Sequence, residues 1–308
     1  MSVRDIAIAV LVMLIWGLNF AFAKAGLAEL PPILMMTMRF TLVAAIVVPF
    51  VRRPNAPMGR VIALSFTLGF VHFSLLFTGL KGLDAAVAAI VIQLQVPFAV
   101  ILAAFVLGDR PGWRRILGMV MAFSGVVIIF AHADVSGHLM PLALMLAAAM
   151  VWSIANFQIK ALAGVDGLAL NGWMALFAAP QLLLASIVFE HGQVEALQHA
   201  TWRGFGAVVF MAVFATIVGY GLWYYLIRKY PMSLAMPFTL LGPVFGVAAG
   251  VVLLHEGLTL RMIAGSLVTI TGVAVIVLRQ PRAAAPPALA APPETPAAET
   301  QAAKGALQ

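Results

Sequence analysis

The sequence contains no cysteine and very little charge. Among its 308 residues, Asp, Glu, Lys and Arg together make up only 9%. The first absence excludes disulfides, thiol chemistry and cysteine-based metal sites. The second excludes an ordinary soluble domain, in which about a quarter of the residues are charged. Because 63% of the residues are hydrophobic, the sequence predicts a protein that lies almost entirely within a membrane.

Ten apolar runs, each close to the roughly 20 residues that cross the hydrocarbon core, predict an all-α polytopic membrane protein. The alternative for the first run is a secretory signal peptide, since Ala21-Phe22-Ala23 resembles a cleavage motif. The return of its Trp/Lys pattern at 152–160 favours a span. The predicted spans leave no room for a soluble catalytic domain, and they cover 5–23, 32–51, 60–79, 84–107, 113–130, 139–159, 168–189, 204–227, 233–254 and 260–278.

The basic residues predict the orientation of the chain. The net charge of +7 does not indicate a nucleic-acid partner, because the Lys and Arg residues form no continuous stripe. With the N-terminus inside, the inner ends of the spans carry thirteen of the 18 Lys and Arg residues and the outer ends carry four. Cytoplasmic ends are enriched in Lys and Arg, so both termini are expected in the cytoplasm.

Two stretches of the sequence recur. "WGLNFAFAK" (16–24) returns as "WSIANFQIK" (152–160), with Trp and Lys 136 residues apart in both cases. "RRILGMVMAFSGVVII" (114–129) returns as "RMIAGSLVTITGVAVI" (261–276), which matches an arginine and two glycines 147 residues apart. Each copy holds five spans, an odd number, so the second copy must enter the membrane from the other side. Inverted repeats of this kind are typical of secondary transporters.

The repeat divides the chain into 1–132, 133–280 and a tail over 281–308. The tail is rich in Pro and Ala and has no aromatic residue, so it is predicted to be disordered. Small residues favour close helix packing, and spans 5 and 10 carry Gly118, Gly125, Gly265 and Gly272. These two spans therefore suit tight packing and permit a homodimer.

Several motifs carry a resemblance to a known family: "WGLNF" in span 1, "PP" with "RF" in span 2, "QLQVPF" in span 4 and "ATIVGYGLW" in span 8. Through about residue 280 the chain resembles the EamA-type transporters of the drug/metabolite transporter superfamily, and among them the exporters of O-acetylserine and cysteine. The resemblance implies a 5+5 inverted fold with a central cavity in the bacterial inner membrane.

Polar residues within spans tend to face a cavity or a partner helix. Trp16 and Asn19 share one helix face, and Trp152 and Asn156 form a comparable face in the second copy. We interpret these faces as two walls of the cavity. The alternative is interhelical hydrogen bonding by Asn and interfacial anchoring by Trp. Lys24 and Lys160 close their spans and are expected to extend to water in structural roles.

Arg39 is the most informative charge, because it lies about 10 Å deep in span 2 at 1.5 Å per residue. No acidic residue lies well inside any predicted span. Two interpretations remain open. Arg39 either caps backbone carbonyls or extends outward, or it binds a substrate carboxylate through a bidentate contact.

Prolines predict broken helices in spans 4 and 9. Pro97 cannot donate to the carbonyl of Gln93, and Pro237 and Pro243 have the same effect in span 9. Such breaks are tolerated at membrane depth where neighbours or a cavity satisfy the freed groups. Gln93 is therefore a predicted cavity residue and the three prolines are predicted hinges, with a mechanical kink as the alternative.

Two further residues complete the predicted site. Tyr220 lies near the middle of span 8 and is a predicted cavity residue. Trp223 and Tyr224 approach the inner membrane–water interface and are weaker candidates. His72, in span 3, is the remaining titratable candidate, since the other five histidines lie in loops or at span ends. It either relays protons or, as we favour, is a neutral hydrogen-bond partner. Efflux is accordingly predicted to be facilitated or exchange-type.

These observations predict a secondary transporter that exports small zwitterionic or neutral amino-acid-type metabolites, with lipid as its surroundings. Alternative cargoes are aromatic or other amino acids, or drugs. An intramembrane enzyme would need a carboxylate to complete a Ser65/His72 pair, and the chain has no H-E-x-x-H or P-loop motif. The remaining alternative is a structural membrane protein. No cofactor, metal site or nucleic-acid partner is predicted.

Overall fold

The computed structural model describes residues 1–108, 111–131, 138–162, 164–230 and 232–278. The predicted boundary at 132/133 and the predicted disordered tail lie outside these residues. Within them every regular element is helical, and ten helices are long and apolar enough to cross a membrane, which confirms the predicted fold class. The ten helices are α1 Val3–Leu27, α2 Pro32–Phe50, α3 Met58–Lys81, α4 Ala85–Val106, α5 Trp113–Phe130, α6 Leu139–Ala161, α7 Gly167–Phe189, α8 Trp202–Lys229, α9 Met236–Leu254 and α10 Leu260–Leu278.

The ends of the helices follow local capping chemistry. The side chain of Ser2 accepts from the amide of Asp5 at the start of α1, and Asp166 accepts from the amides of Leu168 and Ala169 at the start of α7. Such caps satisfy amides that have no partner within the helix. They set where α1 and α7 begin.

The contact between α5 and α10 shows the inverted repeat directly. A Cβ atom added to Gly118 would lie 2.7 Å from the carbonyl oxygen of Gly272, and one added to Gly265 would lie 2.5 Å from that of Gly125. Gly118 corresponds to Gly265 in the repeat, and Gly125 to Gly272. Exchanging the two halves turns the contact of Gly118 with Gly272 into the contact of Gly265 with Gly125, as a pseudo-two-fold axis in the membrane plane requires.

The four glycines thus lie in the contact between α5 and α10 of the same chain, where they allow the two backbones to approach closely. A homodimer through α5 and α10 stays a prediction. It would have to use their outward faces, which expose large apolar side chains such as Val120, Val127 and Leu267.

The other contacts between helices also occur in pairs that are related by exchanging the two halves. Helix α1 packs against α9, and correspondingly α6 packs against α4. Likewise α3 packs against α6, and α8 against α1. Helices α2 and α7, which correspond to each other, are in direct contact. The core of the molecule therefore consists of α1–α4 and α6–α9, with the α5/α10 pair at its edge.

The third helix of each half contains a π-helical segment, at Ser65–His72 in α3 and at Phe210–Val218 in α8. In the second of these, Thr216 Oγ1 donates to the carbonyl of Met211, five residues earlier, at 2.8 Å. π-Helical turns occur often at functional sites, because they displace backbone groups from the α-helical ladder. Both segments border the central residues described below.

The fourth helix of each half is interrupted near its predicted proline. A 3₁₀ segment at Ile92–Leu94 precedes the α-helical part that carries Pro97, and another at Met236–Leu240 contains Pro237 and precedes the part that carries Pro243. Gln93 and Thr239 lie within these two segments. The interruptions occupy equivalent positions in the two halves.

Three glutamates join the two halves at one face of the molecule. We call the face where α1 begins the N-terminal face, and the other the opposite face. At the opposite face Glu190 accepts from the amides of Ile33 and Leu34 at the start of α2, and Glu256 accepts from those of Ala85 and Ala86 at the start of α4. Glu29 accepts from the amides of Thr201 and Gly204 at the start of α8. These three glutamate caps each place a carboxylate at a helix N-terminus, where the partial positive charge stabilises it.

At the N-terminal face the packing is looser between α4 and α9. Helix α4 packs along α9 through its first part, Ala85–Val91, whereas in the described residues its second part, Gln95–Leu107, packs mainly against α6. Residues 85–92 of α4 are all buried, but of residues 95–106 only Pro97 is. Helices α4 and α9 are therefore in close contact toward the opposite face and diverge toward the N-terminal face, and we call the space between their diverging parts the opening.

The Glu29 cap predicts a dependence of stability on pH. Hydrogen bonds from Thr201 hold the pKa of the Glu29 carboxyl below its ordinary value of 4.5. A carboxylate with a depressed pKa stabilises the fold above the ordinary pKa, and this contribution is lost as the pH falls through the folded-state pKa. Wild-type protein should therefore melt at a higher temperature than Glu29→Gln at pH 7, and the difference should shrink toward pH 3. Glu195→Gln, in the exposed short helix Gln193–His199 of the same face, is the control; an equal effect there would contradict the cap.

Candidate functional site

Arg39 lies at the centre of the bundle. It is 3% exposed, and its Nε and Nη2 atoms donate to Thr216 Oγ1 at 3.1 and 2.9 Å. Its guanidinium carbon lies 4.9 Å from the ring centroid of Phe73 and 5.6 Å from that of Phe40, within the range of cation–π attraction. Arg39 therefore neither caps backbone carbonyls nor extends to the surface, and that alternative is wrong.

No carboxylate of the described residues pairs with Arg39. Within the described part of the chain, the ion pairs join Arg228 to Asp166 and Lys229 to Asp5, both at the N-terminal face. A buried guanidinium without a counter-ion is costly unless another group supplies the negative charge. The site is therefore electrostatically suited to an anionic group that arrives from outside the protein.

His72 lies next to Trp152, on the side of Arg39 that faces the second half of the molecule. Its Nδ1–H donates to the carbonyl of Ala148 at 2.9 Å, and its ring centroid lies 4.9 Å from that of Trp152 and 4.9 Å from that of Phe73. The imidazole is 2% exposed. This is the geometry of a neutral hydrogen-bond partner.

Trp16 and Tyr220 form the other side of the site. Their ring centroids are 5.2 Å apart, and Trp16 Nε1 donates to the carbonyl of Ala215 at 3.0 Å, within the π-helical segment of α8. Trp223 also contacts Trp16, at 5.8 Å, and is 8% exposed. Helix α8 thus turns this side chain toward α1 and not toward the interface, while its lesser weight as a site residue stays a prediction.

Thr216 connects the two sides, because it binds Arg39 and lies one turn from Tyr220 on α8. A continuous series of contacts thus runs through five helices, and we call it the central cluster: Trp152, His72, Phe73, Arg39, Thr216, Tyr220 and Trp16. Five of these seven residues were predicted from the sequence as site residues. The cluster combines one cation with aromatic rings and hydroxyl groups, a surface that can bind a carboxylate and a small organic body.

Three predicted site residues lie outside the central cluster. Asn19 is half-buried, makes no side-chain hydrogen bond in the described chain, and has a fully buried Oδ1. Gln93 is half-buried in the 3₁₀ segment of α4. Asn156 is exposed, on the helix face that also carries buried Ala149 and half-buried Trp152. That face is opposite to the exposed Met150 and Ile154, so Asn156 lies on the inward face of α6, near its end at the N-terminal face.

Some contacts in and around the central cluster could not be predicted from the sequence. Phe73 and Thr216 had no signal that tied them to Arg39, because they belong to other helices. The glutamines of α6 and α7 were also missed: Gln158 binds Thr67 and Gln181 binds Ser65, each with its own carbonyl oxygen buried and unpaired. An amide within a predicted span was the available signal for both.

Lys24 also differs from its prediction. Its Nζ donates to the carbonyls of Leu80, Lys81 and Leu83 at 3.1, 2.9 and 2.6 Å, and so caps the C-terminus of α3. The expectation that it extends to water is wrong, although its role is structural as predicted. The last carbonyls of a helix have no intrahelical partner, and they attract the ammonium group.

Replacing Thr216 by valine should weaken the site. The change leaves two donors of the buried Arg39 without their partner, which costs about 1–3 kcal/mol or more for a charged group. Thermal stability should fall together with transport. Thr216→Ser keeps the hydroxyl and should stay close to wild type. If valine and serine behave alike, the hydroxyl does not position Arg39.

The fold and the central cluster define a ten-helix membrane transporter built from two inverted halves. The model of the EamA-like transporter family matches residues 4–131 and 139–278, so the chain belongs to this family. The chain is 32% identical to a protein named "Probable amino-acid metabolite efflux pump" of Escherichia coli (strain K12), over 88% of this chain and 94% of that protein. It is 33% identical to a protein of the same name from Salmonella typhimurium (strain LT2), with the same coverages.

More distant similarities agree with this assignment. The chain is 28% identical to a "Probable terminal-alkyne amino-acid exporter" of Streptantibioticus cattleyicolor, over 73% of this chain and 75% of that protein. A solved crystal structure matches with a TM-score of 0.64 at 20% identity, over 89% of this chain and 96% of that one. At that identity the likeness concerns the fold alone.

Proposed function

We propose that the protein exports small amino-acid-type metabolites, of the O-acetylserine and cysteine kind, across the bacterial inner membrane by alternating access. The observation that carries the proposal is the buried Arg39, which pairs with no carboxylate in the part of the chain that the structure describes. An α-carboxylate supplies the missing charge through a bidentate contact. The names of the relatives from Escherichia coli, Salmonella typhimurium and Streptantibioticus cattleyicolor support an amino-acid-type cargo.

The charge of the site narrows the class of cargo. A phosphorylated metabolite would call for several buried cations, whereas Arg39 is the one buried Lys or Arg in the described chain. A purely cationic drug would call for a buried acid near the cluster, and the buried Asp5 lies at the start of α1. A zwitterion fits best, with its carboxylate on Arg39 and its ammonium group near the aromatic faces of Trp16 and Tyr220.

The direction of transport follows from the orientation. The excess of Lys and Arg at the N-terminal face supports its placement in the cytoplasm. The opening between α4 and α9 then admits cargo from inside the cell. Since no acidic residue of the described chain contacts the central cluster and His72 is bound to a backbone carbonyl, we infer facilitated or exchange-type efflux without a carboxylate-based proton step.

Metabolite analysis of the culture medium tests the proposal. Cells that overproduce the protein should excrete O-acetylserine or cysteine above the level of cells with an empty vector. Excretion of aromatic amino acids instead would keep the transporter class and replace the cargo. An unchanged medium, with the protein present in the membrane, would contradict export altogether.

A further inference from the structure

Lys24, near the end of α1, corresponds in the repeat to Lys160, near the end of α6. The two side chains differ in their contacts. Lys24 binds three carbonyls at the C-terminus of α3, at the opposite face. Its counterpart Lys160 closes α6 at the N-terminal face. Lys160 is exposed and makes no hydrogen bond or ion pair in the described chain.

The acceptors that correspond to those of Lys24 are also present. By the repeat, the end of α3 corresponds to the end of α8, whose last carbonyls belong to residues 227–229. Tyr230 donates its amide to Leu226, which leaves these later carbonyls as acceptors with partial negative charge. Both cations at the end of α8 have a carboxylate partner, because Arg228 is paired with Asp166 at 2.6 Å and Lys229 with Asp5 at 2.9 Å.

The backbone packing shows the same difference between the two faces. Helix α1 packs against the last part of α3, Phe73–Lys81, whereas no comparable packing joins α6 to Gly219–Lys229 of α8 in the described residues. Lys160 lies on the helix face of Trp152 and Asn156, at the N-terminal face. Lys160 and its equivalent acceptors therefore lie at the same face of the molecule without a contact between them in the described residues.

We propose that Lys24 and Lys160 are alternating closures of the two faces. In the structure Lys24 holds α1 to α3 and the opposite face is shut. When the N-terminal face shuts, Lys160 binds the last carbonyls of α8 and Lys24 leaves those of α3. The inference rests on the proposed alternating access. Because one set of ammonium–carbonyl bonds replaces an equivalent set, neither lysine by itself makes one state much more stable, as a two-state carrier requires.

Thiol labelling tests the proposal, and the absence of cysteine from the sequence makes any introduced cysteine unique. The probe is Asn156→Cys, at an exposed position near the N-terminal face, labelled with a membrane-impermeant maleimide added to that face. Lys24→Gln removes the closure of the opposite face and should lower the labelling rate. Lys160→Gln removes the closure of the N-terminal face and should raise it. A tenfold shift in the ratio of the two states corresponds to about 1.4 kcal/mol.

Two controls separate this result from damage to the fold. Lys81→Gln removes an exposed lysine that ends α3 and whose side chain binds nothing in the described chain, so it should label like wild type. Lys24→Arg keeps the donors and should restore the wild-type rate, whereas a misfolded protein would label fully with either residue. Equal or same-direction shifts for Lys24→Gln and Lys160→Gln would overturn the proposal. Labelling needs no substrate, so this outcome is decided separately from metabolite export.

Discussion

An Arg39→Ala variant is expected to lose nearly all export activity while it still reaches the membrane. Alanine removes the one cation of the central cluster, and truncating one partner of a buried charge pair costs about 2–5 kcal/mol. That range corresponds to roughly 30-fold to several thousand-fold in affinity, at tenfold per 1.4 kcal/mol. The measurement is the rate at which preloaded cells or vesicles release the identified metabolite.

Two variants show whether the effect belongs to the site. Arg39→Lys keeps the charge but loses the planar fork, and it should fall between wild type and alanine. Arg60→Ala, at the exposed start of α3, should release metabolite like wild type. Retention of full activity by Arg39→Ala would show that the substrate does not bind the guanidinium.

A Gly265→Val variant is expected to be strongly destabilised. The first atom of any side chain at this position would lie 2.5 Å from the carbonyl oxygen of Gly125 and 2.6 Å from the side chain of Ile129, so α5 and α10 would have to separate. Overpacking of this kind costs about 1–3 kcal/mol and more where backbone blocks the space. The measurement is the melting temperature in detergent, together with the yield from the membrane.

The matched control is Gly59→Val in the first turn of α3. A Cβ atom there has no heavy atom within 4 Å, so only a helix-propensity difference of a few tenths of a kcal/mol is expected. Equal melting temperatures for the two variants would mean that the α5/α10 contact does not hold the halves together.

The spans and the repeat could be predicted because they are written in local patterns. A run of about 20 apolar residues has one stable arrangement in lipid, since its backbone must satisfy itself as a helix. Trp16 and Trp152, and the glycines of α5 and α10, recur at constant offsets. The inverted packing follows from those offsets and from the odd number of spans.

The partners within the site could not be predicted, because they are set by which helices meet. The depth of Arg39 was evident from its position in α2, but its bond to Thr216 depends on the contact of α2 with α8 and on the π-helical turn there. Trp223 lies near the end of α8, and only the packing of that helix on α1 shows that it is buried. Nothing in the sequence indicated which face of the bundle is open.

The three glutamate caps have a further consequence for how the transporter works as a carrier. They join the two halves at the opposite face, where the structure shows the bundle closed. In the proposed alternating access, opening that face would require the halves to separate at these carboxylate contacts, so the caps favour the conformation described here for the empty protein. With the expected cytoplasmic N-terminus, this is the conformation that would receive cargo from the cell interior.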